Sequence, residues 1–145
     1  MFKEVIDLLS EASLLFSQDG ETLRQRIYLA SDIEKLLPRE FISIFKPTSQ
    51  TVMGLEILPA NTVLGIHTDF KPRISNLIVN VNDFDVTVSH SNSGTLRQQT
   101  IKPNDHLLID VTKDHGCEVS YPTDVTLLSI NYNKSYDRVA AWLSA

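Results

Sequence analysis

The sequence predicts a mainly β domain: a barrel or sandwich of eight or nine short strands, with two helices before it and one after it. Three observations lead there. Over the first 38 residues apolar side chains recur every three or four positions, and beyond them every two. Short β-branched segments then alternate with turn signals at even spacing. The chain closes on a second helical pattern.

The elements follow in order. In "FKEVIDLLSEASLLF", Phe2, Val5, Ile6, Leu9, Ala12 and Phe16 share one helix face, and "SQDG" breaks it. "ETLRQRIYLASDIEKLLP" repeats the pattern through Leu23, Ile27, Ala30, Ile33 and Leu37, and Pro38 stops it. From there "FISIF", "TVMGLEIL", "TVLGIHTD", "ISNLIVNV", "DFDVTVSH", "TLRQQTI", "HLLIDVT", "CEVSY" and "DVTLLSINYN" read as strands. "PAN", "FKP", "SNSG", "KPND" and "KDHG" are among the turns between them. "SYDRVAAWLS" is the closing amphipathic helix. The expected organisation is one domain: a helical segment over 1–38 packed on a barrel over 40–133, then a helix over 134–145.

A chain of 145 residues buries about 68–70% of the surface its unfolded form exposes, enough for a real core. The net charge of −5 argues against a general phosphate-binding surface, so no nucleic-acid partner is expected. Cys117 is the one cysteine, which excludes an intramolecular disulfide and suits a reducing compartment. The N-terminus lacks a signal-peptide pattern, and no apolar run approaches the ~18–20 residues that span a bilayer. The expectation is a cytoplasmic protein without a membrane partner.

The chemistry starts at "GIHTDF". On a strand, residues two apart point to the same side, so His67 and Asp69 aim an imidazole nitrogen and a carboxylate oxygen at one point. A histidine from another strand completes a 2-His-1-carboxylate facial triad, the ligand set of non-haem Fe(II) oxygenases. Three protein ligands on one face leave the opposite face open to a co-substrate and dioxygen. With four histidines among 145 residues, chance alone supplies roughly 0.3 His-x-Asp pairs per chain, so the motif needs its surroundings.

Those surroundings are "LEILPANTVLGIHTDF", a strand, a turn and the strand bearing the pair, and "NDHLLIDVTKDHGCEVSYPTDVTLLSINYN", where His115 follows a strand and a short turn. Together with "RISNLIVNV" they resemble the double-stranded β-helix (jelly-roll) of the cupin and 2-oxoglutarate oxygenase superfamily. Within it they are most similar to the aspartyl/asparaginyl β-hydroxylase branch, over roughly residues 50–133. The resemblance implies that His67, Asp69 and His115 hold Fe(II), that 2-oxoglutarate is the co-substrate, and that an amino acid or peptidyl side chain is hydroxylated. Ordinary metal cupins add a second histidine and a glutamate near the first block, whereas Asp69 stands where that histidine would sit.

One departure bears on the co-substrate. In these oxygenases a basic residue on the strand after the distal histidine clamps the far carboxylate of 2-oxoglutarate, and a bidentate arginine does this best. Aligned on His115, that position is Thr126, or Val125 if the turn differs by one, and no arginine occurs between His115 and Arg138. Arg73, at the start of the strand after the His-x-Asp pair, is the candidate clamp, with the Thr126 hydroxyl assisting. Otherwise 2-oxoglutarate binding is weakened or lost. The alternative is then a cupin-like metal- or small-ligand-binding module without oxygenase activity.

His90 and His106 stand beside turns and read as structural or solvated, and Cys117 as a small buried hydrophobe. Asn76 and Asn80 alternate on one face of their strand and read as a solvated face. Trp142 reads as packing, and Asp83 and Asp85 as a hairpin end. The two N-terminal helices would pack on the barrel, cover a substrate or form a homodimer face.

Overall fold

A computed structural model describes residues 2–11, 16–19, 23–29, 35–48, 50–69 and 74–145. Helix α1 (Phe2–Glu11) is followed by strands β1 (Phe16–Asp19) and β2 (Arg24–Leu29), then helix α2 (Arg39–Phe45). Eight strands come next: β3 (Val52–Leu58), β4 (Leu64–His67), β5 (Ser75–Asn80), β6 (Val86–His90), β7 (Arg97–Ile101), β8 (His106–Asp110), β9 (His115–Cys117) and β10 (Val125–Tyr132). Helix α3 (Tyr136–Ser144) ends the chain, its first turn capped by the Ser135 side chain accepting from the Arg138 N–H. Among the described residues no helix is long and apolar enough to cross a membrane.

The strands form two antiparallel sheets, one ordered β1-β2-β3-β10-β5-β8 and the other β4-β9-β6-β7. This is the jelly-roll arrangement that the resemblance implied, where the strand spacing by itself pointed to a sandwich or barrel. Alternation along the larger sheet sends its two faces to two cores. Met53, Leu55, Leu77, Val79, Leu128 and Ile130 point outward and meet the helices through Val5, Leu9, Phe41, Phe45 and Val139. Leu58, Ile78, Val125 and Leu127 point inward and meet Val86, Val88 and Ile101 of the smaller sheet. Strand β5 is therefore buried along its whole length.

Several elements differ from the sequence reading. Phe16–Asp19, read as a helix end and its breaker, is strand β1, and His115–Cys117, read as a turn before the strand "CEVSY", is strand β9. The second helix, expected over 21–38, is contradicted where its residues are described: Arg24–Leu29 is strand β2, paired on one side with β1 and on the other with β3. Residues 30–34 of that expectation lie outside the described residues. Sheet pairing overrides the four-residue spacing of Leu23 and Ile27, as tertiary context commonly does with weak local propensity. Helix α2 covers the segment read as the strand "FISIF". Phe41 and Phe45 are four apart, a spacing that satisfies both the strand and the helix period, so five residues could not separate the two. Their buried rings, with centroids 4.8 Å apart, face the sheet as one helix stripe. The strands thus begin well before residue 40.

Candidate metal centre

Strands β4 and β9 are neighbours in the smaller sheet, with His67 directly opposite His115 and Leu64 opposite Cys117. Strand β4 takes three steps between those pairs where β9 takes two, so β4 carries one extra residue, a β-bulge. Its consequence is one of parity. Without the bulge Leu64 and His67 would face opposite sides of the sheet; with it both line the same cavity. Asp69, two residues on, is held by its backbone N–H donating to the Val111 carbonyl at 2.9 Å.

The three side chains converge. The Asp69 Oδ1 atom lies 3.3 Å from Nε2 of His67 and 3.3 Å from Nε2 of His115, and one ligand atom from each residue lies within 4.8 Å of the others. Each imidazole is fixed from behind. His67 Nδ1–H donates to the Gly65 carbonyl at 2.7 Å, and His115 Nδ1–H to the Lys113 carbonyl at 2.8 Å. A carbonyl only accepts, so Nδ1 carries the proton, and in the neutral ring Nε2 presents its lone pair to the centre. Two donors at ~2.1 Å from one metal in adjacent octahedral positions lie about 3.0 Å apart, close to the observed separations from Asp69. The donor set fits a borderline divalent metal.

Burial opposes a charge on His115. The hydrogen bond to Asp69, the bond to Lys113 and the charges of Asp69 and Glu56 outweigh it, and together they hold the His115 pKa above its ordinary value. The cluster without metal therefore favours a shared proton, which a metal ion held there would displace. Gly116, next to His115, lets β4 approach: a Cβ there would lie 2.7 Å from the Leu64 carbonyl oxygen and 2.8 Å from that of Gly65. The second of those carbonyls is the one that orients His67.

The triad lines a cavity of about 140 Å³ between the sheets. Leu64, Ile78, Val88, Ile109 and Leu127 give it apolar walls, while Gln25, Glu56 and Asn76 of the larger sheet face the triad from across it. No lysine or arginine is among its described lining residues. Cys117 also lines it, and burial together with the Glu56 charge pushes its thiol up to about 12, so the sulfur stays protonated at neutral pH.

Of the sequence-predicted site residues, His67, Asp69 and His115 are brought together, while Arg73 lies outside the described residues. Thr126 is not brought to them. Its neighbour Leu127 lines the cavity, strand alternation turns Thr126 to the other face, and its backbone is tied to the Asn82 side chain at both N–H and C=O. His90 is buried, with Nε2 on Gln99 Oε1 and Nδ1 accepting from the Asn92 N–H, and His106 packs edge-on against Phe45. Asn76 and Asn80 do not form a solvated face. Both are buried: Asn76 lines the cavity, and Asn80 donates from Nδ2 to the Phe84 and Ile101 carbonyls and accepts at Oδ1 from the Asn82 N–H. Glu56 was missed, although a lone acid inside the apolar run "GLEIL" was a usable signal.

Comparison with known proteins adds the fold. No family model and no curated protein sequence matches the chain. Solved structures do. Vicilin from hazelnut (Corylus avellana) superposes with a TM-score of 0.55 at 10% identity, over 86% of this chain and 32% of that one. Vicilin from tomato (Solanum lycopersicum) gives 0.56 at 10%, over 86% and 30%. Oxalate decarboxylase from Bacillus subtilis, described with Mn(II) centres, gives 0.56 at 12%, over 85% and 28%. The fold is that of the cupins. At these identities the likeness carries the cupin architecture and nothing finer, and the chain spans about a third of the length of each of these neighbours.

Proposed function

We propose that His67, Asp69 and His115 hold a single divalent transition metal, and that with Fe(II) the chain acts as a 2-oxoglutarate-dependent oxygenase on a small amino acid or side chain. The observation that carries this reading is the convergence of the three ligand atoms, with both imidazoles already turned Nε2-inward by backbone carbonyls. Asp69 supplies the carboxylate that separates this donor set from an all-histidine one. Ferrous iron supplies the redox chemistry by which such oxygenases divide dioxygen between co-substrate and substrate. The protein's part is to fix the donors, keep water from the apolar wall formed by Leu64, Ile78, Val88, Ile109 and Leu127, and orient what enters. Arg73 is the residue proposed for the far carboxylate of 2-oxoglutarate.

A second reading has its own support. A cavity of about 140 Å³ is near the size that holds one benzene and below the usual range of ligand pockets, which leaves little room for co-substrate and side chain together. That favours a cupin module binding a metal with one small ligand and performing no oxygenation. The Mn(II) centres named for the decarboxylase make Mn(II) a competitor for the same donors.

Anaerobic Fe(II) titration with and without 2-oxoglutarate separates the readings. A visible charge-transfer band that needs both components and is lost in His115→Ala supports the oxygenase. Stoichiometric metal binding without the band leaves the module. No metal binding overturns both.

A further inference from the structure

The larger sheet contributes to the cavity a side chain whose orientation is determined by a chain of hydrogen bonds. Asn131, buried on β10, is held within 3.5 Å of the Val52 carbonyl oxygen. That oxygen only accepts, so the Asn131 atom facing it is Nδ2, and the same Nδ2 donates to the Ser129 hydroxyl oxygen at 3.3 Å. The Ser129 hydroxyl then donates to Asn76 Oδ1 at 2.7 Å, a separation typical of O–H···O and short for N–H···O. Read in sequence, the bonds leave the amide of Asn76 one way round: its oxygen occupied, its two N–H groups turned away from Ser129. Asn76 is 5% exposed and lines the metal cavity, and its side chain makes no other hydrogen bond within the described residues. Among the described residues the enclosed side-chain atom without a partner is Asn131 Oδ1, whereas Asn76 Nδ2 is not enclosed, so its donors are open to an acceptor in the cavity that Asn76 lines.

We propose that Asn76 is a ligand-orienting residue, donating from Nδ2 to a carbonyl or carboxylate oxygen of the small molecule that occupies the cavity beside His67, Asp69 and His115. This deepens the metal-site reading by naming the chemistry of the ligand: a few-atom compound carrying an acceptor oxygen, which Asn76 grips from the sheet opposite the triad. The oxygen belongs either to an α-keto acid co-substrate or to the carbonyl of the substrate. The Ser129–Asn131 pair is the device that keeps the amide from turning over, and Ser129 is a positioning residue.

The test uses the intact protein, metal-free and loaded with Zn(II) as a diamagnetic stand-in, and follows the Asn76 side-chain NH2 pair by nitrogen–proton correlation NMR. The pair is identified as the one missing from Asn76→Asp, which keeps the oxygen that accepts from Ser129 and replaces the donors by a second oxygen. One arm adds pyruvate and 2-oxoglutarate, and the other adds amino-acid amides. The expected result is a saturable shift of this pair in one arm, which tells co-substrate from substrate. Asn76→Leu, which removes the donors without adding charge, should then bind that probe at least tenfold more weakly while holding Zn(II) within threefold of the parent affinity. Ser129→Ala should weaken the probe severalfold with metal affinity unchanged. Because the shift is read on the unaltered protein, a variant that fails to fold does not decide the matter. Probe binding that leaves the Asn76 signals unmoved, or an absence of binding in both arms, overturns the proposal. Loss of Zn(II) binding by the parent protein counts separately, against the metal site alone.

Discussion

The six-stranded sheet presents two unlike faces. Outward, Met53, Leu77, Leu128 and Ile130 interlock with Phe41, Phe45 and Leu9 of the helices, and these side chains are essentially removed from water. Inward, the same strands carry Gln25, Glu56 and Asn76 into a cavity, with Ser129 and Asn131 behind them. Strand alternation lets one sequence serve both: Leu77, Val79 and Leu128 build the outer core while Asn76, Ile78 and Leu127 serve the inner space. The helix-covered face supplies the burial that allows the inner face its polar groups. Stability and site chemistry should therefore separate under mutation.

The largest expected effect lies on the outer face. Phe41→Ala removes a fully buried ring from the α2 stripe and should cost about 3–5 kcal/mol of unfolding free energy, read by urea denaturation. Its folded fraction should bind metal with parent affinity. A loss of metal affinity without loss of stability would mean that the two faces are coupled. Asp69→Ala is the converse. It takes the shared oxygen from between two imidazoles, and metal affinity should fall at least ~100-fold, or about 2.7 kcal/mol, while the folded structure is kept. Binding at parent strength would place the metal elsewhere.

How much of this was written legibly in the chain follows the same division. The strands from β3 to β8, and β10, were visible because alternation and turn chemistry are local, and so was the His67–Asp69 pair. Strand β9, read as the turn "KDHG" and a later strand "CEVSY", was misplaced, and His115 was picked out only by the resemblance. Strand β2 was not visible, since the pairing with β3 that holds Arg24–Leu29 extended is a long-range contact. The inward turn of Asn76 was missed for a related reason: an asparagine in a strand reads as solvent-facing until the sheet across from it is known. The bulge in β4 is a further case. It decides whether Leu64 and His67 share a face, and it exists only relative to β9.

Gly116 tests whether that bulge and its close approach matter. Gly116→Ala would press a methyl group against the backbone carbonyls of Leu64 and Gly65, which cannot rotate away as a side chain could. Overpacking of this kind costs about 1–3 kcal/mol. Because the Gly65 carbonyl orients His67, metal affinity should fall as well, by roughly the 10–100-fold typical of a disturbed outer-shell partner. A variant with lowered melting temperature and parent metal affinity would show that β4 yields as a unit, leaving the ligand geometry intact.

The smallest effect is a dependence on pH, and its sign is set by His115. Its pKa in the folded protein lies above the ordinary value of about 6.5: burial lowers it, but the bonds to Asp69 and Lys113 and the charges of Asp69 and Glu56 outweigh burial. A group with a raised folded pKa stabilises the fold fully below the unfolded value and loses that contribution as pH climbs through the folded one. The metal-free protein should thus lose melting temperature as pH rises from about 6.5, with other groups held apart by comparison with Asp69→Asn. In that variant the charge that raises the His115 pKa is gone, and the slope should flatten or reverse. Metal affinity should move the opposite way, rising over the same range as the proton is displaced more easily. Metal-free stability that is flat across this range, in parent and variant alike, would show that Asp69 and His115 do not share a proton and that their approach in the fold has another cause.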